Sequence, residues 1–544
     1  MMKELLIKAL FNSETSNSKH IQKVALLGYV LKQLRVSRET VALVTKNKEL
    51  QSYFQIACLL RGVNYVILDK YDVDTYLMSQ LEVKILFLDM KLYPIVPENL
   101  YESTFINVIL NTSTLYIESV NSAIPNALGH KLNINAELSR YFREYSTLNK
   151  SLNDLRIEFE NHCVNHNNNS LIFVVHPGNS SYGEKISVFK EEALAKGLLQ
   201  IIDTIGKELS TNTTCHNAYT VENTTYPYVF LLNVLYPLFK GGDFYVSNRV
   251  DLKNFPIGYA TISSYRFTNT LLDMIDDNRV LSLFYRKGFN LFAKYLLRRI
   301  FKKQFKSTPV FVVYGQIDKR LRKLLNHLNV RVFYMYTMIE VSSFITYKYY
   351  RRIPISKKEL TVGRLPMNAV ASSKSIEGNA ELLIDLPTQF DAYTNIDFTT
   401  LCTMSNKFPG MHGTLDIVSE KDNGEIVVLG KAEELFENQN GLTIQSNLIY
   451  SLVLDNQYVD NAIISVIGKN IFVLVELRLS RLLLQNITAE EVIVTLNTVL
   501  LPKINQKVSP YSKVERISMV PGNFERDLNG KIKTSRYLID PQAE

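Results

Sequence analysis

The chain has 544 residues, enough for two or three domains, and its 46% hydrophobic and 21% charged composition is ordinary for a globular protein with a large core. Its four cysteines are scattered, which argues against a disulfide framework or a zinc site. The net charge of +8 comes without an RNA- or DNA-binding motif, so nucleic acid is not a predicted partner.

The N-terminus lacks the apolar core and small-residue cleavage site of a signal peptide. The longest apolar run, 226–239, is interrupted by Asn233 and is too short to span a bilayer. We therefore expect a cytoplasmic location.

Short apolar strands alternate with helical stretches through most of the chain. Strands are predicted at 41–44, 65–68 and 83–89, with a helix at 50–60 between the first two. The alternation recurs around 171–175, 226–246, 259–274 and 310–344. This spacing predicts a doubly wound α/β body with parallel strands and crossover helices.

The sequence pattern changes near Gly363: predicted strands become shorter and turn-forming residues more frequent. This indicates a smaller β-rich module. After Gly430 a compact α+β end domain is predicted. Its strands are expected at 462–466 and 471–476, and its helix at 489–500.

Between Arg286 and Lys306 there are eight basic residues and no acidic ones, interleaved with aromatic and aliphatic side chains. The pattern predicts a basic amphipathic helix. Two interpretations stay open. The helix is either packed by its apolar face with a solvated basic face, or it contacts an anionic membrane surface or a phosphate-rich ligand.

The first motif with chemical potential is the loop 177–185, which follows the strand 171–175. Glycine and hydroxyl-bearing residues after a strand are able to hold phosphate oxygens, and a lysine adds charge. A plain turn is the alternative. The candidate binding residues are Gly178, Asn179, Ser180, Ser181 and Lys185.

The second motif runs from Tyr334 to Glu340, just beyond a predicted strand at 330–333. The carboxylate of Glu340 would lie past the C-terminal end of a parallel strand, where open α/β sheets place ligands. It is then a candidate ligand for Mg²⁺. The alternative is an ordinary helix-starting glutamate.

Two further segments carry glycine and lysine at turns. Gly430-Lys431 is followed by Asn440-Gly441, an arrangement that suits a hinge between domains. Near the C-terminus, Asn529-Gly530 favours a tight turn that would place Lys531 at a loop tip. A lysine there is able to reach a neighbouring cleft and act as a point charge on a carboxylate or phosphate.

In order, these motifs resemble those of the adenylate-forming superfamily, which comprises acyl-CoA synthetases, adenylation domains of nonribosomal peptide synthetases, and luciferases. The loop 177–185 is similar to T-S-G-T-T-G-x-P-K-G, and Tyr336 and Glu340 match both ends of Y-G-x-T-E. Segments 362–366, 377–382 and 430–449 resemble V-G-x-P-x-P-G, G-x-G-E-L and the hinge motif G-R-x-D-E-L-I. Residues 529–532 match the terminal N-G-K-I, and weaker similarity begins near Val41.

The resemblance implies an adenylate-forming fold, with an N-terminal body at 1–429 and a small mobile C-terminal domain at 430–544. It also implies ATP-dependent conversion of a carboxylic acid to an acyl-adenylate, followed by transfer to the thiol of CoA or of a carrier protein's phosphopantetheine arm. Lys531 would contact the carboxylate and α-phosphate, Glu340 would hold Mg²⁺, Tyr336 would stack near adenine, and Glu433 would serve as the hinge.

Several positions depart from the family pattern. In Y-G-x-T-E, Thr337 replaces the glycine and Ile339 replaces the threonine, while Lys431 replaces the arginine of the hinge motif. The T-G-D-L of the family, whose aspartate bonds the ribose hydroxyls, reads His412-Gly413-Thr414-Leu415 here, so Thr414 replaces that aspartate. Asp416 lies two residues on and would substitute for it only if the loop shifts register. Two hypotheses follow: a divergent acyl-activating enzyme, or a non-catalytic relative that binds an acyl group, a nucleotide or a partner protein.

The acid is not specified by a motif. The segment 217–230 is rich in aromatic residues and holds one acidic residue, Glu222, which favours an uncharged tail and hence a fatty or aryl acid. CoA and a separate acyl carrier protein both remain candidate acceptors. A weak peripheral membrane contact through 286–306 is a further hypothesis.

Overall fold

A computed structural model of the chain describes a set of residues that covers most of the predicted elements. These are 1–11, 18–33, 40–68, 78, 81–89, 106–111, 116–122, 156–157, 160–161, 170–175, 185–212, 216–247, 258–276, 278, 295–299, 310–315, 317, 319–354, 360–367, 369–371, 380–390, 392–395, 412–431, 446–454, 456–467, 470–525, 532 and 537.

The described strands are numbered in chain order. They are β1 Thr40–Val44, β2 Asn64–Leu68, β3 Val83–Asp89, β4 Ile106–Asn111, β5 Tyr116–Ser122, β6 Leu171–Val175, β7 Lys185–Lys190, β8 Ala218–Thr220, β9 Phe244–Val246, β10 Tyr259–Ser263, β11 Val310–Tyr314, β12 Val332–Tyr336, β13 Thr346–Tyr350, β14 Gly363–Arg364, β15 Ala369–Ala371, β16 Ala380–Ile384, β17 Ala392–Asn395, β18 His412–Glu420, β19 Glu425–Lys431, β20 Val459–Ile467, β21 Asn470–Leu477 and β22 Val514–Met519.

The described helices are numbered in the same way. They are α1 Met2–Phe11, α2 Ser18–Gln33, α3 Lys48–Arg61, α4 Glu191–Asp203, α5 Ile205–Asn212, α6 Pro227–Phe230, α7 Tyr236–Phe239, α8 Ser264–Asp276, α9 Lys319–Leu328, α10 Ser446–Leu454, α11 Leu479–Gln485, α12 Ala489–Thr495 and α13 Leu501–Lys507, with π turns at Leu231–Leu235 and Leu496–Leu500 and a 3₁₀ turn at Pro510–Ser512.

The first sheet has eight strands in the order β17-β7-β6-β2-β1-β3-β4-β5. Its centre is parallel, from β6 through β2, β1 and β3 to β4. The outer strands β5, β7 and β17 are antiparallel to their neighbours. Helix α3 connects β1 to β2, and residues at its two ends fix its length. Asn47 caps the start of the helix, and Gly62 ends it with a φ of 66°.

The second sheet has six strands in the order β13-β12-β11-β10-β8-β9. All its pairs are parallel except β12 with β13. The carboxyl ends of five strands therefore meet at one edge, which we call the carboxyl edge. The opposite side is the amino edge. Helices α8 and α9 follow β10 and β11 and pack through Phe267, Leu271, Leu321 and Leu324, which are buried.

The third sheet is antiparallel and has the order β14-β19-β18-β16-β15. It shares a core with the second sheet, since Leu382, Ile384, Val418 and Ile426 belong to the same buried cluster as the β11 and β12 side chains. Strand β17, which lies between β16 and β18 in the chain, does not join the third sheet. It pairs with β7 at the edge of the first sheet.

Residues 446–525 form a separate small sheet, β20-β21-β22, with a core of their own. The structure places this unit against α8 and α9. Arg320 Nη1 donates to the carbonyl oxygens of Leu454 at 3.2 Å and Val459 at 3.4 Å. Nη2 of the buried Arg478 lies 3.5 Å from Oδ1 of Asp273.

The strands predicted at 83–89 and 171–175 are confirmed with the same bounds, and those at 41–44 and 65–68 are each one residue longer. The end-domain strands and the helix starting at Ala489 are also confirmed, although the helical stretch continues to Lys507. It passes Pro502 because a π turn precedes α13 and leaves the proline in the first turn of that helix. Among the described residues no helix is long and apolar enough to cross a bilayer.

Candidate functional site

The carboxyl edge of the second sheet gathers the polar side chains of interest. Tyr336 ends β12, Tyr314 ends β11 and Ser263 ends β10. Glu222 follows β8 by two residues. Because these strands are parallel neighbours, the four residues lie along one line at the place where open α/β sheets bind ligands.

Tyr336 and Asp416 form a buried pair that joins the second and third sheets. The tyrosine hydroxyl donates to Oδ2 of Asp416 at 2.5 Å, and the two residues are 8% and 6% exposed. Burial raises the pKa of Tyr336 well above its usual value, and the Asp416 carboxylate raises it further. The phenol therefore stays protonated and holds the carboxylate in place.

Thr414 lies beside this pair, but its hydroxyl is already engaged. Its Oγ1 donates to the carbonyl oxygen of Leu382 at 2.9 Å and accepts from the backbone N–H of Asp416 at 3.1 Å. The single hydroxyl proton of Thr414 is thus directed into the sheet. Tyr336 lies beside both side chains: its hydroxyl donates to Asp416, and the Thr414 hydroxyl also reaches it and lowers its pKa against the two raising effects.

Our sequence reading passed over Asp416 as a site residue, although a signal for it was present. Strand β18 pairs with β19 so that Asp416 lies opposite Lys431. A register irregularity between Ile417 and Val418 shows that the strand is not a uniform ladder.

Glu340 follows β12 by four residues and is half-buried, which agrees with its expected place beyond the strand end. Its segment is tied to 386–390: the Glu340 carbonyl oxygen accepts from the N–H of Phe390 at 2.8 Å, and the N–H of Ser342 donates to Thr388 at the same distance. The Glu340 charge also raises the pKa of Tyr336, less than burial and Asp416 do. Thr337 Oγ1 donates to the carbonyl oxygen of Ser343 at 2.7 Å.

Gly363 explains one motif glycine in steric terms. Its φ is +112°, and a Cβ placed there would lie 2.3 Å from the carbonyl oxygen of Tyr347. Thr346 Oγ1 donates to the Arg364 carbonyl oxygen at 2.7 Å. The glycine lets β14 approach β13 closely, and this fixes the third sheet against the second.

The loop that carries Lys531 has both its ends in one place. The rings of Phe524 and Tyr537 meet edge to face with centroids 5.0 Å apart. The N–H of Glu525 donates to the Tyr537 hydroxyl at 2.8 Å. Lys531 itself lies outside the described residues.

Other predicted positions also lie outside the described residues: Gly178, Asn179, Ser180, Ser181 and Glu433. For Lys185 and Lys431 the backbone is described, at the start of β7 and the end of β19, but the side chains are not. Of the basic segment 286–306, residues 295–299 are described, and they are helical.

At the other end of the carboxyl edge, Glu222 is fully buried and forms a charged cluster with Lys48 and Arg266. Its Oε1 accepts from the N–H of Ser263 at 2.8 Å, and its Oε2 lies 3.9 Å from Nε of Arg266. Lys48 Nζ donates to the Val221 carbonyl oxygen. Burial, together with the Arg266 charge, lowers the pKa of Lys48 to about 8, although the Glu222 charge opposes this.

Aromatic rings occupy the space between the two ends. Tyr228 packs edge to face on Tyr314 with centroids 5.6 Å apart and is stacked with Tyr226 at 6.2 Å. Tyr226 and Tyr228 are buried. The described residues contain no cluster of three or more histidine, cysteine, aspartate or glutamate side chains able to hold a metal ion by themselves.

Solved structures share this architecture over nearly the whole chain. The anthranilate CoA ligase AuaEII in complex with anthranoyl-AMP is 12% identical, with a TM-score of 0.69 over 98% of this chain and 96% of that one. This is the fold of the adenylate-forming enzymes. o-Succinylbenzoate CoA synthetase (MenE) from Bacillus subtilis with its acyl-adenylate OSB-AMP is also 12% identical, with a TM-score of 0.66 and 99% coverage of both chains. A benzoate CoA ligase from Burkholderia xenovorans LB400 is 10% identical with a TM-score of 0.67, again over 99% of both chains.

The predicted resemblance is therefore confirmed at the level of the fold. No protein-family model matches the sequence. No curated protein sequence matches it significantly either. At 10–12% identity these structures show that the fold is shared.

Proposed function

We propose that this protein activates a carboxylic acid with ATP. The carboxylate attacks the α-phosphate, pyrophosphate leaves, and the acyl-adenylate is then transferred to the thiol of CoA or of a phosphopantetheine arm. Catalysis of this kind depends mainly on positioning and on charge stabilisation of an in-line displacement.

The buried pair of Tyr336 and Asp416 carries this proposal. A carboxylate accepts hydrogen bonds from the two hydroxyls of a ribose, and the ring beside it offers a face for adenine. Tyr336 holds that carboxylate through a donated hydrogen bond. Opposite Asp416 in the β18–β19 pair, Lys431 begins the predicted hinge. We assign the ribose contact to Asp416 and the adenine contact to Tyr336.

Glu340 fits the remaining requirement for a nucleotide, an oxygen ligand for Mg²⁺. Glu340 would hold the ion, and the chemistry that the ion supplies there is neutralisation of phosphate charge. Lys531 would contribute its charge at the α-phosphate from the small domain. Phe524 and Tyr537, on either side of Lys531 in the chain, are in contact, with ring centroids 5.0 Å apart.

The acid would lie along the carboxyl edge, from the Tyr336 end toward Glu222. Three strand spacings of ~4.8 Å separate β12 from β8, so the two ends of this edge lie about 14 Å apart. Tyr226, Tyr228 and Tyr314 line this direction, and such rings suit an aryl or fatty tail. Glu222 already accepts from Ser263 and pairs with Arg266, which argues against its use for an amino acid's ammonium group.

The test begins with equilibrium binding of ATP and Mg²⁺, followed by acid-dependent pyrophosphate exchange with aryl, fatty and amino acids. Asp416→Asn keeps an acceptor for the Tyr336 hydroxyl but removes the charge, so ATP should bind about 10- to 100-fold more weakly. Asp385→Asn is the control, because Asp385 is exposed at the end of β16. Equal ATP affinity in Asp416→Asn and wild type would refute the assignment of Asp416.

One observation favours the second candidate, a non-catalytic relative. Ile339 stands where the family pattern has a phosphate-facing threonine, and it packs against the main hydrophobic core. The hydroxyl is thus replaced by an apolar contact. ATP binding without exchange with any acid would support a binding module, and absence of both would support a protein-interaction role.

A further inference from the structure

A group of cations lies at the amino edge of the second sheet, away from the candidate site. They come from three segments: the helical residues 295–299, helix α9 with the residues after it, and the turn after β13. We call them the basic patch, which consists of Arg298, Arg299, Lys323, Arg331, Arg351 and Arg352.

Hydrogen bonds join the three segments at the C-terminal end of α9. Arg298 Nε donates to the His327 carbonyl oxygen at 2.7 Å. The Asn326 side chain bonds both backbone groups of Ile353, donating to its oxygen at 2.6 Å and accepting from its N–H at 3.2 Å. The cations of the patch are therefore held in one region by fixed backbone, and not only by sequence proximity.

Strand pairing brings two more of them together. Val332 pairs with Tyr350, so Arg331 and Arg351 continue the two antiparallel strands by one residue each. On α9, Lys323 lies one helical turn before Asn326 and His327. The patch thus spans the end of one helix and the end of a strand pair.

The three segments that form the patch carry only positive charge in the part of the chain that the structure describes. The segments 295–299, 319–331 and 351–354 contain no acidic residue. Arg299, Lys323, Arg351 and Arg352 are exposed, and none of them forms an ion pair with another described residue. Lys348, three residues before Arg351, is already paired with Glu425.

The position of the patch rules out a role in holding ATP or the acid. Tyr336 and Tyr314 mark the carboxyl edge, whereas Arg331 precedes β12 and so lies at the opposite edge. The small domain contacts α9 at Arg320, near the start of the helix, and leaves Lys323 exposed. A ligand for the patch must therefore approach from outside the molecule.

An exposed aromatic ring accompanies these charges. Tyr295 is 61% exposed and precedes Arg298 and Arg299 by three and four residues, which puts it on the same side of its helical segment. Tyrosine beside arginine suits the headgroup region of a bilayer, where the ring meets the apolar boundary and the guanidinium meets phosphate. The sequence flanking this segment continues the pattern of aromatic, aliphatic and basic residues without an acid from Arg286 to Lys306.

We propose that the basic patch docks the protein on an anionic membrane surface, with Tyr295 inserted at headgroup level and the carboxyl edge facing away from the bilayer. Attraction of this kind is screened over about 8–10 Å at 0.1–0.15 M salt, so docking is reversible and salt-sensitive. It does not depend on whether the site turns over ATP.

The experiment is sedimentation of the full chain with vesicles of phosphatidylcholine alone or with 30% phosphatidylserine added, at ~50 and ~300 mM salt, a range over which screening changes steeply. Binding is expected only with phosphatidylserine and at low salt. The double variant Arg351→Gln with Arg352→Gln should weaken vesicle binding about 10- to 30-fold, since each basic residue near an anionic membrane surface contributes a similar amount of binding free energy. Tyr295→Ala should weaken it less.

Lys503→Gln with Lys507→Gln is the matched control, because both lysines are exposed on α13 of the small domain and the variant removes the same charge. An equal loss in this control would overturn the proposal by showing a response to net charge alone. So would absence of wild-type binding at low salt. Patch-dependent binding to single-stranded RNA with no vesicle binding would also overturn it, in favour of nucleic acid.

Discussion

The polar side chains at the two edges of the second sheet differ in burial. At the carboxyl edge Tyr336, Asp416 and Glu222 are buried, and each hydrogen bond is made to another group of the protein. At the amino edge the charges of Arg351 and Arg352 are exposed to solvent. One sheet therefore presents a preorganised interior surface on one side and an adaptable exterior surface on the other.

The difference indicates the size of ligand that each edge suits. Buried, mutually bonded groups are expensive to rearrange, so they suit a small molecule of fixed shape. Exposed cations on long side chains retain freedom and suit a large, deformable anionic surface. Changes at the carboxyl edge should consequently affect rates and stability, whereas changes at the amino edge should affect neither.

The largest expected effect is that of Lys531→Ala. If the lysine acts on charge that develops at the α-phosphate, adenylation should fall about 10²–10³-fold while ATP affinity and folding stay near wild type. Pyrophosphate exchange and equilibrium ATP binding measure the two. Lys533→Ala, in the same loop, is the control. Wild-type exchange that survives Lys531→Ala would remove the lysine from the mechanism.

Gly363→Ala should have the next largest effect. The alanine must adopt a φ of +112° and bring its Cβ against the Tyr347 carbonyl oxygen. We expect a loss of about 2–4 kcal/mol in the free energy of unfolding, measured by chemical denaturation. Gly424→Ala is matched in positive φ but has no contact closer than 3.9 Å, so it should cost only about 1 kcal/mol. Equal losses would show that close approach of β14 is unimportant.

Tyr336→Phe removes the hydroxyl that Asp416 accepts and leaves a buried carboxylate short of a donor. The free energy of unfolding should fall by about 1–3 kcal/mol. In Tyr336→Phe with Asp416→Asn the penalty should shrink, because an amide is cheaper to bury than a charge. Arg351→Gln with Arg352→Gln should change stability by no more than about 0.5 kcal/mol. A comparable loss of stability for the variants at the carboxyl edge and at the amino edge would contradict the difference drawn between the two edges.

The last prediction concerns Lys48 and pH. Its pKa is lowered to about 8 in the folded protein from 10.5, so between these values the unfolded chain holds the proton and the folded chain releases it. The contribution of Lys48 to stability therefore rises with pH in this window and is fully unfavourable below it. Thermal or denaturant unfolding at pH 7, 8, 9 and 10 measures the stability of Lys48→Met and of wild type. As the pH rises, wild type should gain stability relative to the variant, so the stability difference between them should narrow or reverse. Parallel plots of stability against pH for the two proteins would contradict the lowered pKa of Lys48.

Much of the fold was readable because its strands are local apolar runs bounded by turn residues. β3 and β6 were placed to the residue, and the carboxyl-edge position of Glu340 followed from the strand before it. The pairing of β17 with β7 was not predicted, since it depends on contact between segments far apart in sequence. Such non-local pairing leaves no periodic signal in either strand.

The site was predicted less well than the fold. The strand predicted at 330–333 lies at Val332–Tyr336, so Tyr336 ends the strand instead of following it, and its partner Asp416 is absent from the predicted site, which names Thr414. Thr414 and Asp416 are two residues apart in β18 and lie on the same face, and both side chains reach Tyr336, so the letters of the motif do not decide between them. The depth of Glu222 was equally invisible, because burial is a property of the assembled sheet.

The position of β17 has a consequence for how the chain is made. Strand β7 ends at Lys190, and its outer partner begins at Ala392, about 200 residues later. At ~5–20 residues per second, a ribosome exposes the free edge of β7 for about 10–40 s before β17 emerges. An open strand edge is a template for pairing with other chains. Nascent molecules of this protein should therefore need a chaperone during that interval, and slowing translation between the two strands should lower the yield of soluble protein.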